Sequence, residues 1–489
     1  MNEPGLVAAT QALSPLVVDL DGTLTPTDTL FETAVRCVKR HPFETLLWPL
    51  WLMQGRAAFK ARLIQRSGWA GQNIPLREDL LEYLAQQRAQ GRRLVLATAA
   101  DISIARTVAD RVGLFDDVIG SNGAHNLKGA RKLQAIQDLV GPAFCYAGDS
   151  SADLPIWQAA ESAVLVGASD SVAEQARKLT PVEREFKTAP PTPAVWVRAI
   201  RAHQWLKNLL LFVPLLTSFA FLDLHKVGAA LLGFIAFSLT ASATYLVNDL
   251  WDLDADRQHA RKRLRPLASG RLRIETGVAG AAVLLLSGLT LAALIGGRFL
   301  AVTLVYLAST SAYSWSLKRY VLADVLALSL LYVLRILAGS IAIDVVTSTW
   351  LLAFSVFLFF SLALVKRCSE LVSLGGQGKP RATGRDYQVN DLVVLWPLGI
   401  GAGLCSAVVF GLFVSAPEVR ARYGSPDLLW LVDVGLLYWM ARLWIKTSRG
   451  EMDDDPVVFA ARDFGSQMTI AAMVAMVVAA YFLGSLHGV

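Results

Sequence analysis

The stretch that decides the fold of the N-terminal part is LVVDLDGT, residues 16–23. Its first half has the composition of a buried strand, and the carboxylates of Asp19 and Asp21 follow where that strand ends. Further short apolar runs recur at 93–98, 117–120, 143–147 and 163–166, with helical stretches between them. This alternation predicts a Rossmann-like α/β domain with a parallel sheet, which binds its ligands at the carboxyl ends of the strands.

More polar side chains fall at the predicted strand ends. Thr98 closes the second apolar run, and Asp149 and Asp153 follow the fourth in GDSSAD, residues 148–153. Lys128 precedes that segment. This set suits phosphoryl transfer through an aspartyl-phosphate, in which one carboxylate attacks phosphorus and a second protonates the leaving oxygen. A lysine, a hydroxyl and Mg²⁺ held by carboxylates would balance the charge on the transferring group.

These residues resemble the haloacid dehalogenase superfamily over about residues 14–180. The resemblance implies that Asp19 is the nucleophile, Asp21 the acid and base, and Thr98 and Lys128 the phosphate binders. It also implies a Mg²⁺ site built from Asp19, Asp21, Asp149 and Asp153. We therefore assign residues 1–188 to a phosphatase domain.

A helical cap is expected within that domain at about 24–92. It contains the apolar run LLWPLWLM, residues 46–53. Packing into the domain core is the expected explanation for this run, and contact of the cap with a membrane is the alternative.

Composition separates the remainder of the chain from this domain. A mean hydropathy of +0.44 and 54% hydrophobic residues exceed the values of an ordinary soluble enzyme of 489 residues. The four cysteines form no close pair and the six histidines have no ligand spacing, which argues against a disulfide scaffold or a zinc site. We see no signal-peptide pattern and expect no nucleic-acid partner, and the oligomeric state stays open.

The C-terminal part, 209–489, is predicted to be an all-α polytopic membrane domain, preceded by a linker and an interfacial helix at 189–208. About nine transmembrane helices are expected, near 206–222, 227–249, 275–296, 299–315, 321–343, 348–365, 391–415, 427–445 and 467–486.

Charge predicts the orientation of these spans. The connections that follow even spans are rich in basic residues, whereas the odd connections contain only Lys226, Arg298, Arg420 and Arg422. The positive-inside rule then places the N-terminal domain in the cytoplasm, with the chain in the inner (cytoplasmic) membrane.

A second aspartate-rich stretch, NDLWDLDAD at residues 248–256, ends a long apolar run. On a helix, Asn248, Asp252 and Asp256 would share one face and suit Mg²⁺ bridging a diphosphate. The basic residues that follow, including Lys262 and Arg265, would meet phosphate oxygens. A loop that merely obeys the positive-inside rule explains the basic residues but not the aligned carboxylates.

This motif, with RPLASG at 265–270 downstream, resembles the UbiA superfamily of intramembrane prenyltransferases over roughly residues 195–487. The second motif expected of that superfamily is atypical here, because residues 313–324 contain a single aspartate. The branch most similar in these features is decaprenyl-phosphate phosphoribosyltransferase, which transfers phosphoribose from phosphoribosyl diphosphate (PRPP) to a polyprenyl phosphate. The resemblance implies catalysis by Asp252 and Asp256 and substrate binding by Lys207, Asn208, Lys262, Arg265, Tyr313, Lys318, Asp324, Lys366 and Arg367.

The fusion of the two parts predicts a bifunctional enzyme that uses Mg²⁺ in both domains. The membrane domain would attach 5-phosphoribose to a polyprenyl (decaprenyl-type) phosphate. The N-terminal domain would remove the 5-phosphate, which gives polyprenylphosphoryl ribose for cell-envelope glycan synthesis. The main alternative is an aromatic prenyltransferase that uses a polyprenyl diphosphate, fused to a phosphatase of unrelated substrate. A phosphatase for a soluble metabolite, a regulatory domain, a non-catalytic scaffold and a transporter are further alternatives.

Overall fold

The structure, a computed structural model, describes residues 13–122, 126–378, 380–381, 385–452 and 455–483. The strands are β1 (Leu16–Val18), β2 (Leu94–Asp101), β3 (Asp117–Ser121), β4 (Cys145–Gly148), β5 (Ser162–Val166) and β6 (Val182–Phe186). The first nine α-helices are α1 (Thr29–Arg40), α2 (Trp48–Met53), α3 (Arg56–Ser67), α4 (Glu78–Ala89), α5 (Ile102–Val112), α6 (Ala130–Val140), α7 (Leu154–Ala159), α8 (Asp170–Leu179) and α9 (Pro193–Ala199).

The strands form one parallel sheet in the order β3-β2-β1-β4-β5-β6. Strand β1 is internal, with Leu16 opposite both Leu94 and Cys145. Its three residues are fully buried, which is typical of a strand covered on both faces. Five strands agree with the sequence prediction. Strand β6 was missed because it lies at the edge of the sheet and carries charged residues in VEREF, residues 182–186.

The segment between β1 and β2 is helical, as expected for a cap, but its apolar run is mostly not in the core. Trp51 is buried against Cys37, Phe59 and Leu63. Trp48 is half-buried against the same cluster. The other six large apolar side chains between 43 and 53 are exposed, with Phe43 at 85%, Leu46 at 78%, Leu47 at 44%, Leu50 at 56%, Leu52 at 49% and Met53 at 82%. We call these six residues the cap surface. The expectation of core packing is therefore wrong for the five of them that lie in the run 46–53.

The described part of the chain after residue 201 contains eight α-helices of 19 to 28 residues and four short ones of five to seven residues. They are α10 (Val213–Thr217), α11 (Leu224–Trp251), α12 (Leu253–Gln258), α13 (Ile274–Ile295), α14 (Gly297–Trp315), α15 (Ala323–Ala342), α16 (Thr349–Gly376), α17 (Leu392–Ser415), α18 (Pro417–Arg422), α19 (Leu429–Ser448), α20 (Pro456–Arg462) and α21 (Phe464–Phe482).

Among the described residues, seven helices are long and apolar enough to cross a membrane: α11, α13, α15, α16, α17, α19 and α21. The predicted count of nine is not confirmed. The predicted span 206–222 is instead a 3-10 helix (Ala202–Phe212) followed by the five residues of α10, and Phe219 has a φ of 54°. Helix α14 has 19 residues but carries a polar run at 309–311. The end of the last predicted span, after 483, lies outside the described residues.

The chain divides into two compact units. Unit 1 comprises Met1–Ile200 and Tyr245–Ala281, and unit 2 comprises Arg201–Thr244 and Ala282–Val489. The aspartate-rich stretch at 248–256 and the loop after it therefore pack with the N-terminal residues, although the sequence assigned them to the membrane domain. Each unit is described by itself below.

Candidate active sites

A cavity of about 470 Å³ in unit 1 lies where β1 and β4 end. Asp19, Asp149 and Asp153 line it, and one carboxylate oxygen from each lies within 4.8 Å of the others. Parallel strands bring these side chains together, because the carboxyl ends of neighbouring strands meet at one edge of the sheet. Of the predicted ligands, Asp21 lines the cavity but does not belong to this group of three.

The cation in contact with Asp19 is Lys132, which the sequence reading missed. The Nζ atom of Lys132 lies 2.8 Å from Oδ1 of Asp19 and donates to the Tyr146 hydroxyl at 2.6 Å. Tyr146 in turn donates to Asp153 at 2.9 Å. Lys128 lines the same cavity from the loop that precedes α6. Positions 128 and 132 are both lysine, so residue type does not distinguish them. The start of α6 at Ala130 is the signal that could have shown that Lys132 is the buried lysine.

Asp21 is placed to act as an acid. Its carboxylate accepts hydrogen bonds from the backbone N–H of Thr29 at 2.9 Å and from the Thr29 hydroxyl at 3.1 Å. Burial raises the pKa of Asp21 to about 8, and the charge of Asp28 adds to this effect. A carboxyl that is protonated at neutral pH can give its proton to a leaving oxygen.

The three clustered carboxylates fit a magnesium ion. They supply oxygen ligands, which Mg²⁺ prefers. Burial raises the pKa of Asp19 to about 6 and that of Asp149 to about 7, and the neighbouring carboxylates add to both shifts. Lys132 opposes the shift at Asp19, and Arg273 and Arg77 oppose it at Asp149. A bound cation would stabilise the ionised form of these carboxylates, which is disfavoured in the metal-free protein.

Gly22 lets Asp149 approach the backbone next to Asp21. A Cβ atom at Gly22 would lie 2.2 Å from Oδ2 of Asp149, and the φ of Gly22 is +77°. Both the contact and the backbone conformation therefore require glycine here. This explains the glycine of the DGT motif in terms of the site.

Thr98 does not line the cavity, whereas its neighbour Ala99 does. The Thr98 side chain is buried, and its hydroxyl accepts the backbone N–H of Ala100 at 3.0 Å. The Thr98 hydroxyl thus binds the backbone in this structure, and its predicted role as a phosphate binder stays a prediction.

The aspartate-rich stretch, also in unit 1, is balanced by arginine. Helix α11 ends at Trp251 and α12 begins at Leu253, but backbone bonds from Asp252 to Asn248 (2.9 Å) and from Asp256 to Asp252 (2.8 Å) keep the helical spacing. The guanidinium of Arg265 reaches Asp249 at 3.1 Å and Asp256 at 2.5 Å. Burial nevertheless raises the pKa of Asp256, with Arg265 opposing.

Within the described residues, the aspartates at 249–256 do not form a second group of three close ligands. Asp252 and Asp256 therefore do not belong to such a group, and the predicted site that they form with the amide oxygen of Asn248 stays a prediction. Asp249, which the prediction left out, is buried and shares Arg265 with Asp256. Lys262, one residue into the following turn, is exposed.

A buried ionic network joins α1 to α12 inside unit 1. Glu32 is fully buried and accepts from Arg257 at 2.5 and 3.0 Å and from Arg36 at 2.7 Å. Arg36 also donates to Asp254 at 2.5 and 3.0 Å. Although burial acts to raise it, the charges of Arg257 and Arg36 hold the pKa of Glu32 below its usual value. Two arginines therefore tie the cap to the aspartate-rich stretch.

Unit 2 contains a compact group of two lysines and one aspartate. Nζ of Lys207 lies 2.5 Å from Oδ2 of Asp455, and Nζ of Lys366 lies 3.7 Å from the same oxygen. Although burial acts to raise it, the two lysine charges hold the pKa of Asp455 below its usual value. The sequence reading predicted both lysines but missed Asp455, which also caps α20 by accepting from Val457 at 3.1 Å. The group carries a net positive charge that an anion could share.

Arg367 and Asp324, both predicted to bind substrate, bind each other. Nη2 of Arg367 lies 2.6 Å from Oδ2 of Asp324, both side chains are fully buried, and Arg367 also pairs with Glu370. The hydroxyl of Tyr387 donates to Asp324 at 2.5 Å. In this arrangement the pair joins α15 to α16, and neither side chain faces solvent.

Asn208 is also buried. Its side chain donates a hydrogen bond to Ser238 at 3.0 Å and accepts one from Arg335 at 2.9 Å, so its contacts are with other protein side chains. Tyr313 and Lys318 are partly exposed near the end of α14. Their predicted part in substrate binding stays a prediction.

Comparison with known proteins matches two families to different parts of the chain. Residues 209–380 match the UbiA prenyltransferase family, and residues 16–158 match the haloacid dehalogenase-like hydrolases. An uncharacterized protein, y4nM, from Sinorhizobium fredii is 42% identical over 92% of this chain and 87% of its own length.

Two shorter relatives cover part of this chain. The nodulation protein NoeC from Azorhizobium caulinodans is 35% identical over 57% of this chain and 90% of its own length. The decaprenyl-phosphate phosphoribosyltransferase of Mycobacterium tuberculosis is 31% identical over 62% of this chain and 100% of its own length. Together with the seven apolar helices, these matches show that the chain is an integral membrane enzyme of the UbiA prenyltransferase family that carries an N-terminal haloacid dehalogenase-like hydrolase domain.

Proposed function

We propose that the chain transfers 5-phosphoribose from PRPP to a polyprenyl phosphate and then removes the 5-phosphate, which gives polyprenylphosphoryl ribose for cell-envelope glycan synthesis. The observation that carries the proposal is the pairing, in one chain, of a phosphatase cavity with a relative named decaprenyl-phosphate phosphoribosyltransferase that matches over its full length. Phosphoribosyl transfer leaves a phosphate monoester on the sugar. Prenyl transfer to an aromatic ring leaves none, so it would not explain the phosphatase.

In the proposed transfer, a phosphate oxygen of the lipid attacks C1 of the ribose as the bond from C1 to the diphosphate breaks. Diphosphate leaves, and the product is a phosphodiester. The lipid phosphate is already an anion, so it needs alignment and charge balance rather than a base. Lys207 and Lys366 support this step because they already share one carboxylate, Asp455. Arg265 is proposed to meet the diphosphate, with Lys262 from the following turn.

In the proposed hydrolysis, a carboxylate oxygen of Asp19 attacks phosphorus and the bond from phosphorus to the 5-oxygen breaks. Asp21 gives its proton to that oxygen and then takes one from the water that hydrolyses the aspartyl-phosphate. Lys132 holds Asp19 in place and balances the charge of the transferring group.

We propose Mg²⁺ as the cofactor of both reactions. In the phosphatase cavity, Asp19, Asp149 and Asp153 would hold it, and it would supply charge balance on the phosphoryl oxygens. At the aspartate-rich stretch, the proposal depends on the amide oxygen of Asn248 and the carboxylates of Asp252 and Asp256. Helical backbone hydrogen bonds keep these three residues at a spacing of four.

The chain is proposed to lie in the cytoplasmic membrane with its N-terminal domain in the cytoplasm. The basic residues of 257–273 support this orientation under the positive-inside rule. Reporter fusions at the two ends of the chain would test it, and an external N-terminal reporter would contradict it.

The cap surface supports a lipid as the phosphatase substrate. Six exposed large apolar residues between 43 and 53 are unusual on a soluble face, and Leu52 also lines the catalytic cavity. Replacing Leu50 and Met53 by serine should reduce hydrolysis of a lipid-linked sugar phosphate about 10-fold, because roughly 1.4 kcal/mol of apolar contact is lost. Hydrolysis of ribose 5-phosphate should not change. Equal losses on both substrates would contradict a lipid contact.

The experiment that tests the whole proposal uses purified protein with polyprenyl phosphate, PRPP labelled in the ribose, and Mg²⁺. Label should enter the lipid fraction, first with and then without the 5-phosphate. The competing function is aromatic prenyl transfer. Label that enters the lipid fraction from an aromatic acid and a prenyl diphosphate, but not from PRPP, would establish that function instead.

A further inference from the structure

The phosphatase cavity contains cations that the proposed hydrolysis does not use. Of its basic lining residues, Lys132 contacts Asp19, and Lys60 donates to the backbone oxygen of Ala99 at 3.0 Å. Arg56, at the start of α3 in the cap, and Arg273 also line the cavity. A phosphate monoester is matched by Lys132, Lys128 and the proposed metal. The guanidinium of Arg273 lies 4.0 Å from the carboxylate of Glu275, which is at the limit of an ion pair, so the two arginines leave positive charge for a second anion.

Arg273 reaches this cavity from outside the hydrolase-like sequence. The hydrolase family match ends at residue 158, and residue 273 falls inside the UbiA match, 209–380. Both belong to unit 1, because Tyr245–Ala281 packs with the N-terminal residues. A stand-alone hydrolase domain would therefore lack this arginine.

The backbone around Arg273 is well anchored. Its neighbours Leu272 and Ile274 are each 1% exposed. Gly270, with a φ of +74°, lies so close to the cap that a Cβ there would be 2.5 Å from Cγ of Pro26. Arg257, held by Glu32, donates to the backbone oxygen of Ala268 at 3.1 Å. The loop thus presents Arg273 to the cavity from a fixed backbone.

We propose that Arg273 and Arg56 form a second anion subsite in the phosphatase cavity. The ligand class is a sugar phosphate that also carries a phosphodiester: Asp19 attacks the monoester, and the two arginines bind the diester. Guanidinium groups suit this task because they donate several hydrogen bonds to phosphate oxygens. This inference rests on the proposed function, and it explains how the phosphatase would select the transferase product over simple sugar phosphates.

The test compares two soluble probes on the full-length protein in detergent with Mg²⁺. One is ribose 5-phosphate, and the other is the same compound with a butyl phosphodiester at C1. Release of inorganic phosphate is measured. The unsubstituted protein should have a kcat/KM at least about 10-fold higher for the diester, which corresponds to about 1.4 kcal/mol.

Arg273→Ala should remove most of this preference, because the KM for the diester should rise by much more than the KM for ribose 5-phosphate. Arg273→Lys should restore part of it, which separates loss of charge from loss of fold. Arg271→Ala is the matched control, because Arg271 is an exposed neighbour that does not line the cavity, and it should keep the full preference.

Three outcomes would overturn the inference. If both probes are hydrolysed with equal kcat/KM, or if Arg273→Ala keeps the preference, there is no second anion subsite at Arg273 and the phosphatase assignment survives. If neither probe is hydrolysed, the proposed phosphatase function fails, and the subsite fails with it.

Discussion

The two sets of aspartates in unit 1 differ in what balances their charge. Asp19, Asp149 and Asp153 converge within 4.8 Å, and among the described residues a single ion pair, from Lys132, reaches them. In the stretch 248–256, Asp249 and Asp256 share Arg265, and Asp254 pairs with Arg36. The first set has an excess of negative charge that a metal would balance. In the second set, arginines already pair with Asp249, Asp254 and Asp256 before any ligand binds.

This contrast indicates different conditions for binding Mg²⁺. A converged and under-neutralised set can take the ion without substrate. A set paired with arginine can take it only when another anion, such as a diphosphate, draws the arginine away. Carboxylate number alone therefore does not define a metal site; the cations around the carboxylates decide as well.

The largest effect is expected from Asp19→Asn. The amide keeps the shape of the carboxylate but cannot form the aspartyl-phosphate, so phosphate release should fall at least about 10³-fold. Transfer of labelled phosphoribose to lipid should continue, and the 5-phosphorylated lipid should accumulate. Thin-layer separation of the lipid products checks both results. An unchanged ratio of phosphorylated to dephosphorylated lipid would show that the phosphatase has another substrate.

Glu32→Gln tests whether the ion pairs among Glu32, Arg36 and Arg257 stabilise the fold around the aspartates of 248–256. Removing the one carboxylate between Arg36 and Arg257 leaves two buried guanidinium groups underbalanced, so the free energy of unfolding should fall by about 3–5 kcal/mol. Denaturant unfolding followed by tryptophan fluorescence measures this change. Glu174→Gln is the control: its pair with Lys178 is exposed by 70% and 73%, and the expected change is below about 0.5 kcal/mol. Similar changes in both variants would contradict a stabilising network.

Asp252→Ala should have the opposite effect to Asp19→Asn, because it should stop the proposed transfer and leave the proposed hydrolysis intact. Lipid labelling from PRPP should fall at least about 10²-fold, because an oxygen donor proposed for the diphosphate site is lost. Hydrolysis of ribose 5-phosphate should stay within about 2-fold, since Asp252 does not line the phosphatase cavity. Full transfer activity in this variant would remove the second aspartate set from the proposed mechanism.

The affinity of Asp19, Asp149 and Asp153 for Mg²⁺ in the absence of substrate should depend on pH. The pKa of Asp19 is raised to about 6 and that of Asp149 to about 7, so binding must displace protons at lower pH. Affinity should fall by about 10-fold per pH unit for each proton displaced, as the pH drops below these values. The raised pKa values favour the metal-free fold at low pH, and that contribution is lost as pH rises through 6 to 7.

Mg²⁺ should therefore raise the Tm more at pH 8 than at pH 5.5. Thermal unfolding with and without Mg²⁺ at both values measures the difference. Asp149→Asn should abolish most of the Mg²⁺ effect, whereas Asp252→Ala should keep it. A Tm increase that is the same at both pH values would contradict binding to ionised Asp19 and Asp149.

The sequence determined the features that depend on local order. Five strands, the position of the carboxylates at strand ends and the apolar helices follow from short patterns of hydrophobicity and from the motifs at 16–23 and 248–256. Spans were harder to count, because the segment 206–222 and α14 are apolar on average but contain polar or irregular backbone that only the folded chain shows. The edge strand β6 was missed for a similar reason, since one exposed side removes the apolar signal.

Tertiary structure alone decided which charges meet. Lys132 rather than Lys128 contacts Asp19, Arg367 is matched by Asp324, and Asp455 lies between two lysines far from it in sequence. A charged side chain gives the same sequence signal whether it is exposed or buried in a pair. The pairing depends on long-range packing, such as that which brings Arg273 to the cavity of a domain whose family match ended more than a hundred residues earlier. Residue type therefore fixed the chemistry available to this protein, and the fold selected the partners because ion pairs form only over a few ångströms.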